Sequence, residues 1–474
     1  MRDLVFLSAA EIAELVRRKE VSPVEITQAY LERAEQLQPR LNAFVVLDRE
    51  RALQQARAAE QALLRGEDAG PLYGVPVTIK SSIDVAGLPC EAGTRLRAGY
   101  VAERDAPLVA RLRAAGAVIL GNTNVPELLM AYETDNLLYG RTNNPWDLGR
   151  TAGGSSGGEA AAIASGCSAA GVGSDGGGSI RVPAHFSGIC GLKPTPGRIP
   201  ATGHFPPSGG PFALLGVVGP MARTVQDLQL MFEAMAGPDD GDVCSAPLPY
   251  RPLAEAEVRR TRIGYFEDDG ITPVTPETRA AVKRAAEALR QQGLEVEPFR
   301  PEGLEDARRL WWVFFGLTGG LVLARMFAEG DGEASPILKE FLGIVAAEPP
   351  LTLERFSNAW FERDLCRTQL LRQMQRYPIL LCPACAIPAF RHGEREWKVE
   401  GQRVAYLDAE ADIFRFTQWF NLTGNPAAVV PVGKSPEGLP IGVQIVGRPH
   451  EEELVLAVAK HVERSCGGWR RPPL

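Results

Sequence analysis

The chain has 474 residues, of which 45% are hydrophobic and 23% charged, the make-up of an ordinary soluble globular protein able to bury a large core. A formal net charge of −7 and the lack of any long basic run argue against nucleic acid as an electrostatic partner. No apolar run reaches the roughly 18 residues of a membrane span; the nearest, Leu310 to Ala324, is short and is interrupted by glycines and Thr318.

The first residues do not read as a signal peptide. Ser8-Ala9-Ala10-Glu11 is a capping box, and Glu11, Glu14, Arg17 and Arg18 break any apolar stretch. The 8 cysteines are scattered and are expected to be thiols, which places the chain in the cytoplasm. Cys382-Pro383-Ala384-Cys385 stands alone within an apolar run and reads as two small core residues. The 5 histidines show no metal-ligand spacing, so neither metal nor cofactor is expected.

In chain order, residues 1–65 read as a helical segment packed outside the catalytic core. Ser8 and Ser22 act as caps, Pro23 takes a first-turn position, and the stretch from Arg49 to Arg65 is rich in alanine and glutamine. A core follows over residues 66–240. It opens with the strand Val75 to Ile79, then a helix from Ala106 to Ala115, then the strand Ala117 to Leu120. A helix capped by Asn124 is expected from Pro126 to Tyr132, another from Glu159 to Ala164, and a buried strand from Ala169 to Gly173. After the loop at Gly237 to Gly241 come a strand at Arg262 and an amphipathic helix from Glu277 to Gln292. Residues 300–375 read as a helical, aromatic-rich insertion, and residues 376–474 return to the core with strands near Leu380, Val429 and Val443. Strands and helices that alternate in this way make an α/β fold.

Two serines sit in separate glycine clusters. Ser155 lies in Gly153-Gly154-Ser155-Ser156-Gly157-Gly158, and Ser179 follows Gly176-Gly177-Gly178. Glycines directly before a hydroxyl let backbone N–H groups approach a ligand, as an oxyanion hole requires. Two pattern matches fail. Gly153 to Gly157 fits G-x-S-x-G, but turn residues precede it where a nucleophile elbow needs a strand. Gly171 to Gly176 fits G-x-G-x-x-G, but no acid stands between Gly176 and Gln226 to take a ribose. The third residue is Lys80, which ends the apolar strand Val75-Pro76-Val77-Thr78-Ile79 and is thereby set against the core.

With these residues the chain resembles the amidase signature family of serine hydrolases, strongly over 72–221 and again over 420–448, on the side of its stand-alone, fatty-acid-amide-hydrolase-like members. The spacing of 24 positions between Ser155 and Ser179 fits that family. The resemblance implies one amidase domain over 1–474, an α/β/α sandwich around a mixed central sheet covered by helices. It implies a Ser–Ser–Lys triad: Ser179 as nucleophile, Ser155 as relay after a cis peptide bond, and neutral Lys80 as base. The N–H groups of Gly176, Gly177, Gly178 and Ser179 would form the oxyanion hole. A free lysine, with a pKa of ~10.4, is a poor base at neutral pH, and burial can lower that value by several units. Ser81 and Ser82 follow Lys80 where many members carry an acid, and Gly176 stands where a larger residue is common.

Around this triad, Ser156 could join the relay or cap a helix, while Asp175 and Arg181 read as a structural pair. His185 offers a rival base six positions after Ser179. Leu310-Trp311-Trp312-Val313-Phe314-Phe315 could line an apolar pocket or a lid, with Leu128, Leu129 and Met130 as a second wall; Leu129, Met130, Trp311 and Phe315 are the substrate-binding candidates. The expected reaction is hydrolysis of hydrophobic linear amides, with carbamates and esters as further substrates. The expected partner is a small amide, and a homo-oligomer is compatible with the sequence. The second reading is an amidase subunit of a glutamyl-tRNA-type amidotransferase, releasing ammonia from glutamine.

Overall fold

The computed structural model describes residues 3–67, 70–329 and 333–474. Its strands in chain order are β1 (Phe44–Leu47), β2 (Pro76–Lys80), β3 (Val118–Thr123), β4 (Ala170–Asp175), β5 (Cys190–Lys193), β6 (Val217–Ala222) and β7 (Arg262–Tyr265). They continue with β8 (Glu295–Pro298), β9 (Ile379–Pro383), β10 (Glu396–Val399), β11 (Gln402–Ala405), β12 (Ala427–Lys434) and β13 (Pro440–Val446). Eleven of these form one sheet in the order β1-β3-β2-β4-β6-β5-β12-β13-β9-β7-β8, and β10 and β11 form a separate hairpin. The sheet is mixed. β2 runs parallel to β3 and β4, and β7 parallel to β8 and β9, while β12 and β13 are antiparallel.

Side-chain alternation explains how helices cover both faces of this sheet. On β9, Ile379 and Leu381 join one apolar cluster, whereas Leu380 and Cys382 join another. The first cluster is aliphatic and collects the helices Ala9–Arg17, Pro23–Leu41, Val225–Met235, Pro276–Gln291 and Glu452–Cys466. The second is aromatic, built on Trp311, Trp312, Phe314, Phe414 and Trp419. The alternation of strand and helix gives the expected α/β fold, and the central sheet is mixed, as the family resemblance implied.

Three expectations need correction. The segment over residues 1–65 is not all helix, because Phe44-Val45-Val46-Leu47 forms β1 and pairs with β3 at the sheet edge. Ile12, Val16, Ile26 and Leu31 pack into the aliphatic core, so this segment is part of the main body. No helix runs from Pro126 to Tyr132; a short 3-10 turn, Glu127–Leu129, stands there, with Leu128 and Leu129 at positive φ. The Asn124 carboxamide oxygen is taken by Val125 N–H and Asn136 Nδ2, and Glu127 is tied to Thr94 and to the Ser335 N–H. Lastly, Ala307–Ala328 is a continuous helical run of 22 residues, long and apolar enough to cross a membrane. Its glycines do not interrupt it, yet Trp311, Trp312, Val313, Phe314 and Leu317 are buried within the protein, the position of a core helix.

Candidate active site

Parallel pairing of β2 with β4 places their carboxyl ends side by side, the usual edge for ligands in such sheets. β2 ends on Lys80 and β4 ends on Ser174 and Asp175. Lys80 is fully buried. Its Nζ lies 2.7 Å from Ser155 Oγ, 2.9 Å from Ser156 Oγ and 2.9 Å from Ser174 Oγ. Burial lowers its pKa to about 7, against the opposing pull of the Asp175 and Glu159 carboxylates. Glu159 sits in the first turn of the helix Gly157–Ala164, accepting from Thr78 and Thr123, and burial raises it to about 7.

The peptide bond from Gly154 to Ser155 is cis. Gly154 is enclosed by backbone, since a Cβ there would lie 2.6 Å from the carbonyl oxygens of both Ala131 and Glu133. Ser156 stands at the helix N-cap but does not cap it; its hydroxyl donates to the Ser174 carbonyl at 3.3 Å. The Ser156 N–H donates to the Ser179 carbonyl at 3.2 Å, which joins the two glycine–serine clusters directly.

Asp175 anchors the turn that carries Ser179. Its carboxylate accepts from the Gly178 N–H at 2.7 Å, the Ile180 N–H at 3.1 Å, and Arg181 Nε at 3.0 Å. Burial alone would raise its pKa, but the Arg181 guanidinium holds it well below the usual carboxylate range. Arg181 is itself buried and also donates to the Thr417 carbonyl at 3.0 Å and to Gln444 Oε1 at 2.6 Å. One sequence expectation changes here. The Gly178 N–H is occupied by Asp175, so the donors left open on this turn are those of Gly176, Gly177 and Ser179, which have no partner among the described residues.

Above the two serines lies a cavity of about 500 Å³. Ser155, Ser174, Asp175, Gly176 and Ser179 form its polar end, and Leu129, Met130 and Phe315 stand on its walls. Trp311 does not line it. Its indole is buried behind the turn, with Nε1–H donating to the Gly176 carbonyl at 2.8 Å. Leu128 is likewise buried away from the cavity. Sequence reasoning missed Ser174, Phe212 and His204. Ser174 follows from the β2–β4 register, Phe212 comes from a short helix in a proline-rich loop, and His204 Nδ1 donates to the Pro206 carbonyl at 2.9 Å. None of these placements leaves a local pattern. His185 points elsewhere. Its ring nitrogens lie 3.0 Å from the Gly442 N–H and 3.1 Å from the Ile387 carbonyl, and burial lowers its pKa to about 4. Cys382 and Cys385 are buried thiols raised to about 12 by burial.

The fold and this buried lysine–serine cluster define an amidase-type hydrolase. The chain belongs to the amidase signature family of amidohydrolases, and the amidase family profile matches residues 25–456. It is 33% identical to fatty-acid amide hydrolase 2-A of Danio rerio over 99% of this chain and 90% of that one. It is 34% identical to a glutamyl-tRNA(Gln) amidotransferase subunit of Moorella thermoacetica over 99% of each. The crystal structure of a bacterial aryl acylamidase of the amidase signature family superposes with a TM-score of 0.85 at 29% identity, over 97% of this chain and 96% of that one.

Proposed function

We propose that the protein is a stand-alone hydrolase of hydrophobic linear amides, with Ser179 as nucleophile, Ser155 as relay and Lys80 as base. A neutral amine has two hydrogens and one lone pair. Ser156 Oγ, whose own hydrogen goes to the Ser174 carbonyl, accepts one hydrogen from Lys80; Ser174 Oγ accepts the other. The lone pair is left for Ser155, at 2.7 Å. The amine takes the Ser155 proton as Ser155 takes that of Ser179, and the Ser179 oxygen attacks the amide carbonyl. Negative charge develops on the carbonyl oxygen within reach of the open Gly176, Gly177 and Ser179 N–H groups. Ser155 returns the proton to the departing nitrogen, the C–N bond breaks, and water repeats the sequence on the acyl-enzyme.

The observation that carries the substrate class is the cavity wall. Leu129, Met130, Phe212, Phe315, Leu323 and Met326 present hydrocarbon to the acyl or aryl group. Among the described lining residues there is no Arg or Lys, and the one carboxylate, Asp175, is paired with Arg181. Glutamine would have to bury its α-carboxylate there without a cation, which is costly. The amidotransferase reading rests on the Moorella relative, which is as similar as the fatty-acid amide hydrolase. Purified protein assayed on anilides, long-chain amides, carbamates, esters and glutamine separates the two. Turnover of apolar amides without a partner is expected, with carbamates and esters also cleaved. Ammonia from glutamine only when partner proteins are added, with no turnover of any aryl or alkyl amide, would overturn the proposal.

A further inference from the structure

The turn that carries Ser179 is held from behind by three side-chain donors, Tyr132, Thr417 and Trp311, none of which lines the cavity. In a trans peptide unit the C=O and N–H point in opposite directions, and every unit of this turn is trans. The Gly177 carbonyl accepts from Tyr132 Oη at 2.8 Å and Thr417 Oγ1 at 2.6 Å, and the N–H of that same unit, on Gly178, points back to Asp175. The preceding unit is different. Its carbonyl, on Gly176, accepts from Trp311 Nε1 at 2.8 Å, and its N–H, on Gly177, has no partner among the described residues.

The indole is closely fitted for this bond. Trp311 stacks on Phe315 with centroids 4.7 Å apart and planes at 13°. A Cβ on Gly177 would lie 2.5 Å from Trp311 Cζ2, and one on Gly176 would lie 2.7 Å from Phe315 Cε2. Only glycines at both positions let the aromatic pair approach the backbone this closely. The run Val313–Leu317 is a π-turn, a feature frequent at functional sites, and it sits between the indole and the rest of the helix.

We propose that Trp311 is a positioning residue of the oxyanion hole: by holding the Gly176 carbonyl, it keeps the Gly177 N–H aimed at the carbonyl oxygen of the substrate. The proposal rests on the reading of Ser179 as nucleophile. Trp311→Phe keeps a ring on Phe315 and removes only the donor. Deleting an oxyanion donor outright costs about 10²–10³ in kcat, so a donor left present but badly aimed is expected to cost about 10- to 100-fold, with KM nearly constant. An aryl boronic acid, whose serine adduct places an oxygen in the hole, should lose affinity by a similar factor. An unreactive aryl alkane of the same size should bind the variant as it binds the wild type. Unchanged kcat in W311F overturns the proposal and leaves the nucleophile standing. Equal losses for the boronic acid and the alkane overturn it as well, since they mean that Trp311 only shapes the cavity. Full turnover by Ser179→Ala removes the underlying reading itself. If W311F does not fold, Trp311→Leu carries the test, because it too removes the indole N–H from the Gly176 carbonyl. The same split between kcat and KM is expected, and its absence rejects the idea.

Discussion

A lysine can serve as a base near neutral pH only if something removes its proton, and here burial does so. With Lys80 lowered to about 7, the free amine is the minor form below that pH and the major form above it. With Lys80 as the proposed base, the active species accumulates as pH rises. For an uncharged amide, kcat/KM should fall tenfold per pH unit below about 7 and level off above it; a profile flat from pH 5 to 9 contradicts the assignment. Lys80→Ala should lower kcat by at least about 10³-fold, in line with the loss of a general base and the geometry it organises. His185→Gln should keep turnover within about tenfold per folded molecule, because the ring's hydrogen bonds go only to backbone at Gly442 and Ile387. An inactive but folded H185Q beside an active K80A reverses the roles.

At the scale of elements, the site depends on the buried pair Asp175–Arg181, which locks the end of β4 to the start of the helix Arg181–Ser187. Both side chains are fully shielded from solvent. Arg181→Met leaves Asp175 as an unpaired buried anion and strips donors from Thr417, Gln444 and Asn421. A loss of about 3–5 kcal/mol is expected, read from the shift of a urea unfolding curve. Unfolding at the wild-type midpoint contradicts the account. The sequence carried much of this element-level structure. The glycine clusters, the helix after Ser156 and the strand ending in Lys80 all have local signatures. β1 did not, because Phe44-Val45-Val46-Leu47 is a four-residue apolar run between two helices and only its pairing with β3 makes it a strand. The turn at Leu128 and Leu129 was equally hidden, since the forces that hold it come from Thr94 and Ser335, far away in the chain.

At the scale of the whole molecule, the cavity is an assembly of distant parts. Leu129 and Met130 come from one end of the core, Phe212 from a proline-rich loop, and Phe315 and Leu323 from the long apolar helix. A single sequence reveals the aromatic residues but not which of them face inward, and for this reason Trp311 and Phe315 looked equivalent. Phe315 stands on the wall and Trp311 behind it. Phe315→Ala should enlarge the acyl pocket and move the preference toward bulkier aryl or branched amides. A change of about tenfold or more in the ratio of kcat/KM for a bulky and a small amide is expected, since one to three kcal/mol is typical of such pocket changes. An unaltered ratio places the acyl group elsewhere.

The proposed relay from Ser179 through Ser155 to Lys80 is reached most directly by peptide mapping after exposure to a fluorophosphonate. The mass increment should fall on the peptide bearing Ser179, form faster as pH rises through about 7, and slow by at least about 100-fold in Lys80→Ala. A label on any other residue, or labelling of Lys80→Ala at the wild-type rate, contradicts the account.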